Sequence, residues 1–225
     1  MPREFVPLIR RGGFEDAEKF YILAFEGTVT ERKYFEDLRA SEYFNNSGKI
    51  ETIPLRKGKC DGNSPVDVKT LLSKTKSEYN FRPMDEFWLI IDRDSWERIH
   101  KIDLDKLVED CYNEKNFHMA LSNPCFEIWL ILHLAKISEF SDTEQKNIFE
   151  NPPINSKKKY IDVVLANLIG DGRGYNKRPN PNVFLPRISI AISNARSIAD
   201  VAAPYPKKIG TDVFKLVEKL IIVND

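Results

Sequence analysis

The fold is decided by the stretch 81–96, FRPMDEFWLIIDRDSW, in which a run of large apolar residues ends at two aspartates. Five apolar residues in a row, 87–91, indicate a strand buried on both faces, as strands of a parallel sheet are. Asp92 and Asp94 follow two positions apart, so in extended backbone their carboxylates share one side while Arg93 points away. Because neighbouring carboxylates repel each other unless a cation or water separates them, the stretch predicts a strand that carries two acids to a binding site.

A second stretch, 20–31, has the same design: FYILAFEGTVTE. An apolar strand runs into Glu26, and Gly27 and a helix follow. A lone glutamate before glycine is more often a solvated turn residue, and two aspartates in this spacing also occur by chance. The presence of both motifs, each directly after an apolar strand, is more informative, because open α/β sheets bind ligands at the carboxyl ends of their strands. If the two strands are neighbours, Glu26, Asp92 and Asp94 meet at one edge of the sheet and form a divalent-metal site.

Strands and helices alternate through the first half of the chain. Apolar runs at 20–25, 49–55, 87–91 and 117–121 are separated by segments with helical periodicity, which predicts an α/β fold with a parallel sheet of about four strands. A metal shared by Glu26 and the aspartates requires the strand order 2-1-3-4. Beyond Ser122 the pattern is helical, and Asn123 and Pro124 are typical of a helix start. We therefore expect an arm at 1–19, an α/β domain at 20–135 and a helical extension at 136–225 that packs on this domain.

The amino-acid composition disfavours several classes of protein, among them membrane proteins, disulfide-stabilised proteins and zinc proteins. The 225 residues include 34 basic and 34 acidic side chains, so no global field attracts the chain to nucleic acid or to an anionic membrane. Apolar segments are too short to span a bilayer, and we expect a cytoplasmic protein without a membrane partner. The three cysteines form no CxxC pair and the histidines lack ligand spacing, which disfavours disulfides and zinc.

Three segments are candidates for contact with a nucleic-acid backbone, although solvated loops are the simpler interpretation of each. Their basic residues are Arg56, Lys57 and Lys59; Lys157, Lys158 and Lys159; and Arg173, Lys177 and Arg178. Tyr175 lies in the last segment, where a mixture of basic and aromatic residues suits phosphate contacts and base stacking. Glu127, in the first turn of an apolar helix, either interacts with the helix dipole or binds metal.

The acidic motifs resemble those of a known group of proteins. EGTVTE after the first strand and IDRDS after the third look like the two acidic motifs of the Toprim domain, which is shared by topoisomerases, primases and OLD-type nucleases. More closely, the segments FEGTVTERKYF, IDRDSW, SNPCFEIWLILH and GTDVFKLVEKL together resemble the RloB-like family, which includes the abortive-infection component AbiL. The similarity runs from about residue 20 to the C-terminus. Glu31 follows Glu26 by five residues, where the commoner Toprim pattern has four.

The resemblance implies a Toprim-like fold and a nuclease that depends on Mg²⁺ or Mn²⁺. Asp92 and Asp94 would be the principal ligands, and Glu26 would bind metal or accept a proton from the attacking water. Glu31 and Glu127 would hold a second ion.

The same resemblance implies an antiphage, abortive-infection role, with DNA or RNA as substrate and an ATPase as partner. One of the lysines 157–159 would stabilise charge in the transition state. A homodimer is a further possibility, since Toprim nucleases often pair.

Two other classes of function stay open at this stage. The first is a non-catalytic module that binds a nucleotide or a partner protein through the same acids. The second is a phosphotransfer or strand-joining enzyme, for which the sequence offers little, because Tyr175 and Tyr205 lack the context of a nucleophile.

Overall fold

Within the part of the chain that the structure describes, five strands form one sheet in the order β2-β1-β3-β4-β5. The computed structural model describes residues 19–27, 29–45, 50–54, 64–78, 81–93, 96, 102–200 and 202–222. The strands are β1 Lys19–Phe25, β2 Ile50–Pro54, β3 Glu86–Asp92, β4 Phe117–Asn123 and β5 Gly210–Thr211. The first four are mutually parallel, so the α/β class is confirmed.

The two strands that carry the acids are neighbours in the sheet, as a shared acidic site requires. Strands β1 and β3 pair in parallel, with Phe25 opposite Ile90. Glu26 and Asp92 follow these positions by one and two residues, so both side chains start from the same edge of the sheet. This edge, which carries the carboxyl ends of β1, β3 and β4, is where parallel sheets place their ligands.

Strand β5 is antiparallel and was not predicted. Thr211 pairs with Ser122, and their hydroxyl oxygens lie 2.8 Å apart in the protein interior. The Thr211 hydroxyl also accepts from the Val213 amide at 3.2 Å, at the start of the helix Val213–Leu220. A two-residue strand is too short to leave an alternating pattern in a sequence.

The helices of the described residues agree closely with the apolar periodicity. They are, in chain order, α1 Thr30–Arg39, α2 Pro65–Glu78, α3 Leu104–Tyr112, α4 Glu127–Leu132, α5 Asp142–Glu150, α6 Tyr160–Ile169, α7 Pro181–Phe184, α8 Ile188–Ile198 and α9 Val213–Leu220. Asp103 caps α3 by accepting from the Lys106 amide, and Gly170 ends α6 with a φ of 66°. None of these helices has the length and apolarity that a membrane crossing requires.

The expected start of α4 was wrong. Asn123 is the last residue of β4 and donates from its side chain to the Pro206 carbonyl at 3.0 Å, so it does not cap a helix. The helix begins at Glu127, three residues beyond Pro124. The pairing of β4 with β3 and β5 prolongs the strand past the point where local sequence predicts a helix.

Side chains of β1 alternate between two apolar clusters, one on each face of the sheet. Tyr21, Leu23 and Phe25 pack with α1 and with the helices that follow β4. On the other face, Ile22 and Ala24 pack with α2 and α3. The C-terminal helices therefore complete the first cluster, and the expected division at residue 135 passes through it.

Candidate active site

Glu26 is held at the edge of the sheet by two hydrogen bonds to its carboxylate. The Asp92 backbone amide donates to Oε2 at 3.0 Å, and the Trp96 indole Nε1 donates to Oε1 at 2.8 Å. The Glu26 amide in turn donates to the Ile90 carbonyl at 2.9 Å, which continues the pairing of β1 with β3. Trp96 was not among the predicted site residues; its place directly after the acidic motif is the only signal in the sequence.

Asp92 connects the end of β3 to the start of α4. Its Oδ1 accepts from the Phe126 backbone amide at 2.8 Å. That amide is one of the N–H groups at the start of a helix that lack a partner within the helix, so it favours an ionised carboxylate. Arg93 points away from this edge, as predicted, and its guanidinium donates to the Lys207 carbonyl at 2.9 Å. We call Glu26 and Asp92 the acidic pair.

The acidic pair fits a hard divalent ion. Mg²⁺ takes oxygen ligands and is commonly held by one or two carboxylates together with water and substrate phosphate. A carboxylate oxygen that accepts one N–H retains a lone pair for a metal. Over the described ranges, no three His, Cys, Asp or Glu side chains form a group that could hold a metal ion. Asp94, the third predicted ligand, lies outside the described residues.

Glu31 is buried beside the acidic pair, in the first turn of α1. It is 5% exposed, and its Oε1 accepts from the Gly27 amide at 3.0 Å. A Cβ atom on Gly27 would clash with Glu31 Oε2, so a larger residue at that position would displace the carboxylate. Because Gly27 has no side chain, the Glu31 carboxylate can lie against the backbone of the residue that follows Glu26. Its predicted role as a ligand of a second ion stays a prediction.

Glu127, the other predicted ligand of a second ion, has a cationic partner. It is 5% exposed, and its Oε1 lies 2.9 Å from Lys177 Nζ and 3.3 Å from the Tyr175 hydroxyl. The same ammonium lies 2.7 Å from Oδ1 of Asp162, which is 4% exposed. Burial alone would lower the pKa of Lys177, but Glu127 and Asp162 raise the pKa above its ordinary value. Lys177, whose side chain is 47% exposed, is therefore the charged partner of two buried carboxylates.

Two potential nucleophiles near this cluster are held in their protonated forms. Burial, reinforced by Glu127 and Asp92, raises the pKa of the Cys125 thiol well above its usual range. Burial and Glu127 likewise raise the pKa of the Tyr175 hydroxyl. Tyr175 is 6% exposed, so the base-stacking role suggested by the sequence is wrong for this side chain. Neither group suits covalent catalysis at neutral pH.

Two of the predicted nucleic-acid segments meet in space. A Cβ atom on Gly174 would lie 3.6 Å from Lys158 Nζ, which places the lysines 157–159 beside the loop 171–178. Five basic side chains that are exposed there, Lys157, Lys158, Lys159, Arg173 and Arg178, form what we call the basic surface; Lys177 is exposed as well, but its ammonium is paired with Glu127. Lys177 connects this surface to Glu127. The remaining predicted contacts, Arg56, Lys57 and Lys59, lie outside the described residues.

The chain matches the model of a known protein family. The family model described as RloB-like protein matches residues 21–220 of the chain. The matched range includes the acidic pair, Glu127 and the basic surface. No curated protein and no solved structure matches the chain.

Proposed function

The chain belongs to the RloB-like family, and from this premise we propose that it is a divalent-metal-dependent nuclease that hydrolyses phosphodiester bonds of DNA or RNA. We also propose that its sheet is Toprim-like. The observation that carries the proposal is the 3.0 Å hydrogen bond from the Asp92 amide to Glu26 Oε2. It brings together two acids that are 66 positions apart in the chain, at the edge of a parallel sheet where ligands bind.

The acidic pair is oriented before any ligand arrives. The Phe126 amide fixes Asp92, while the Asp92 amide and the Trp96 indole fix Glu26, so both carboxylates have defined directions. Asp92 would be the principal metal ligand, with Asp94. Glu26 would be a further ligand or would accept a proton from the attacking water. A bound Mg²⁺ or Mn²⁺ would supply an activated water and neutralise charge on the phosphate.

A nucleic-acid substrate is proposed because of where the positive charges lie on the protein. The chain has no net charge, yet the basic surface collects five exposed cations next to the cluster that joins Glu127 and Lys177. A local cationic patch beside an acidic metal site is the arrangement that a polyanionic strand needs, because the patch binds the phosphates that flank the cleaved one. We expect cleavage to weaken steeply with added salt.

Activity of the purified protein tests the proposal. Mixed DNA and RNA are incubated with Mg²⁺ or Mn²⁺, and Asp92→Asn and Glu26→Gln are compared with the wild type. We expect each variant to lower the rate by roughly 1,000-fold, which corresponds to about 4 kcal/mol of transition-state stabilisation. Glu109→Gln, an exposed acid of α3, is the matched control and should cleave normally. Cleavage by Asp92→Asn at the wild-type rate would refute the nuclease proposal.

A non-catalytic binding module is the second candidate. It is favoured by one observation: both carboxylate oxygens of Glu26 already accept hydrogen bonds within the protein. In this case the wild type would cleave no polynucleotide, and Asp92→Asn would weaken binding to a partner protein or nucleotide.

The biological setting that we propose is antiphage defence by abortive infection, with control by a partner ATPase. Its test is phage plating on cells that express the chain with and without a candidate partner ATPase. Protection against phage that disappears with Asp92→Asn would support the proposal. Protection that persists in this variant would show that defence does not depend on cleavage by this site.

A further inference from the structure

The ammonium of Lys177 lies between two carboxylates that are almost completely buried. Its distances are 2.9 Å to Glu127 Oε1 and 2.7 Å to Asp162 Oδ1. Within the described residues, Lys177 is the one group that contacts Asp162 Oδ1 as a charged partner, at 2.7 Å. A buried carboxylate needs a neutralising charge, and for this oxygen the lysine supplies it.

Lys177 is also fixed through its backbone. Its carbonyl accepts from the Thr30 hydroxyl at 3.0 Å, next to Glu31 at the start of α1. Its φ is 64°, in the left-handed region that non-glycine residues seldom adopt. Such a conformation persists where surrounding contacts hold it. The contacts on both sides of Lys177 therefore hold the ammonium at one position.

That position borders the acidic pair. Glu127 directly follows Phe126, whose amide donates to Asp92 Oδ1. Thr30 belongs to the helix that starts four residues after Glu26. Lys177 thus connects the loop 171–178 to the elements that carry Asp92 and Glu31.

Resting on the proposed nuclease, we propose that the ammonium of Lys177 takes the place of a second divalent cation, so that the site binds a single metal ion. Glu127, which follows the residue whose amide binds Asp92, would otherwise be available to hold a second ion. An ammonium carries a fixed charge, has no lone pair for a metal, and repels a divalent ion that approaches the same carboxylate. Lys177 is accordingly a positioning residue that orients Glu127 and the loop.

The number of bound metal ions tests the inference without any measurement of cleavage. Mn²⁺ is titrated into the full-length protein, free ion is counted by electron paramagnetic resonance, and the titration is repeated with a phosphorothioate oligonucleotide. We expect one Mn²⁺ per chain in both conditions and none in Asp92→Asn. Two Mn²⁺ per wild-type chain in either condition would overturn the inference while leaving the nuclease proposal intact. Absence of Mn²⁺ binding by the wild type in both conditions would contradict the metal site itself, and both proposals with it.

Substitution of the lysine sharpens the test. Lys177→Met removes the charge and keeps the length of the side chain, so Glu127 and Asp162 become available and a second, weaker Mn²⁺ should bind. Lys136→Met, at an exposed lysine, is the control and should bind one. A folded Lys177→Met protein that binds a single Mn²⁺ would overturn the inference.

If Lys177→Met does not fold, Glu127→Gln tests the inference instead. The amide has nearly the same shape as the carboxylate and leaves Lys177 in place. If the ammonium occupies the place of a second ion, this variant retains one Mn²⁺ with a dissociation constant within about threefold of the wild-type value. Loss of Mn²⁺ binding would identify Glu127 as a ligand of the single ion and overturn the inference.

Discussion

Among individual side chains, Trp96 has the clearest unpredicted role. Its indole donates to Glu26 Oε1, so it orients an acid without being able to bind metal. Groups that orient a ligand in this way typically contribute 10–100-fold to affinity or activity. We expect Trp96→Phe to lower the cleavage rate about 10-fold, toward the lower end of that range, and to weaken Mn²⁺ binding. Single-turnover cleavage and Mn²⁺ titration measure both effects.

Trp88 provides the matched control. It is 3% exposed, and its indole donates at 2.9 Å to Glu86, at the opposite end of β3. Trp88→Phe should therefore affect stability but not cleavage. Equal losses of activity in the two variants would show that the effect of Trp96→Phe is not specific to Glu26.

His133 gives the protein a distinct dependence on pH. It is 1% exposed, and its Nδ1 lies 2.8 Å from the Trp129 carbonyl, so Nδ1 carries the proton and Nε2 accepts from the Tyr34 hydroxyl at 3.2 Å. Burial lowers the pKa of His133 to about 3. The unfolded chain, with an ordinary histidine pKa, binds a proton below about pH 6.5 while the folded chain does not. The stabilising contribution of the neutral imidazole is therefore complete above about pH 6.5 and is lost as the pH falls toward 3.

Comparison with His133→Gln isolates this contribution. Between pH 6 and 4 the wild type should lose about 2 kcal/mol more in free energy of unfolding than the variant, because the glutamine cannot titrate. Urea denaturation at both pH values measures the difference. Parallel pH profiles for the two proteins would contradict the assignment.

Among the elements of secondary structure, β5 shows how a short strand can matter for stability. Thr211→Val removes one hydroxyl of the buried pair and leaves the Ser122 hydroxyl without its partner. An unsatisfied buried polar group costs about 1–3 kcal/mol, so we expect a loss of that size in urea denaturation. Thr70→Val, at an exposed position of α2, is the control and should change stability by less than about 0.5 kcal/mol. A loss at Thr211 no larger than that at Thr70 would contradict a structural role for the β4–β5 pairing.

Helix α4 links the two halves of the chain. Glu127 and all the apolar residues after it in the helix are 5% exposed or less, so the helix is buried around its whole circumference. Asn194 of α8 donates to the Leu132 carbonyl at 2.8 Å. A helix apolar on every side needs partners on every side, and the later helices α6 and α8 provide them.

For the entire chain, this packing predicts that the segment 19–135 does not fold without the rest. Removal of the later helices would expose α4, and each large apolar side chain returned to water costs about 2 kcal/mol. Exposure of Ile128, Trp129 and Leu130 alone would cost about 6 kcal/mol. This cost lies within the range of about 5–15 kcal/mol by which a typical domain is stabilised. We expect the segment to bind ANS and to unfold without a cooperative transition. Cooperative thermal unfolding with native near-ultraviolet circular dichroism would contradict this expectation.

Local patterns in the sequence were sufficient for the α/β class, for the four parallel strands and for the placement of Glu26 and Asp92 at their ends. They were sufficient because a buried strand needs a continuous apolar run and an amphipathic helix needs a 3.6-residue period, and both are properties of neighbouring residues. The adjacency of β1 and β3 followed from requiring Glu26 and Asp92 to share one site.

Tertiary structure alone decided the contacts that give each acid its surroundings. Glu26 meets Trp96 across 70 positions, Glu127 meets Lys177 across 50, and Ser122 meets Thr211 across 89. No periodicity connects such residues, since their proximity depends on how complete helices and strands pack. For that reason the sequence predicted Glu127 as a metal ligand and Lys177 as a phosphate contact, whereas the folded chain places the lysine ammonium against the glutamate carboxylate.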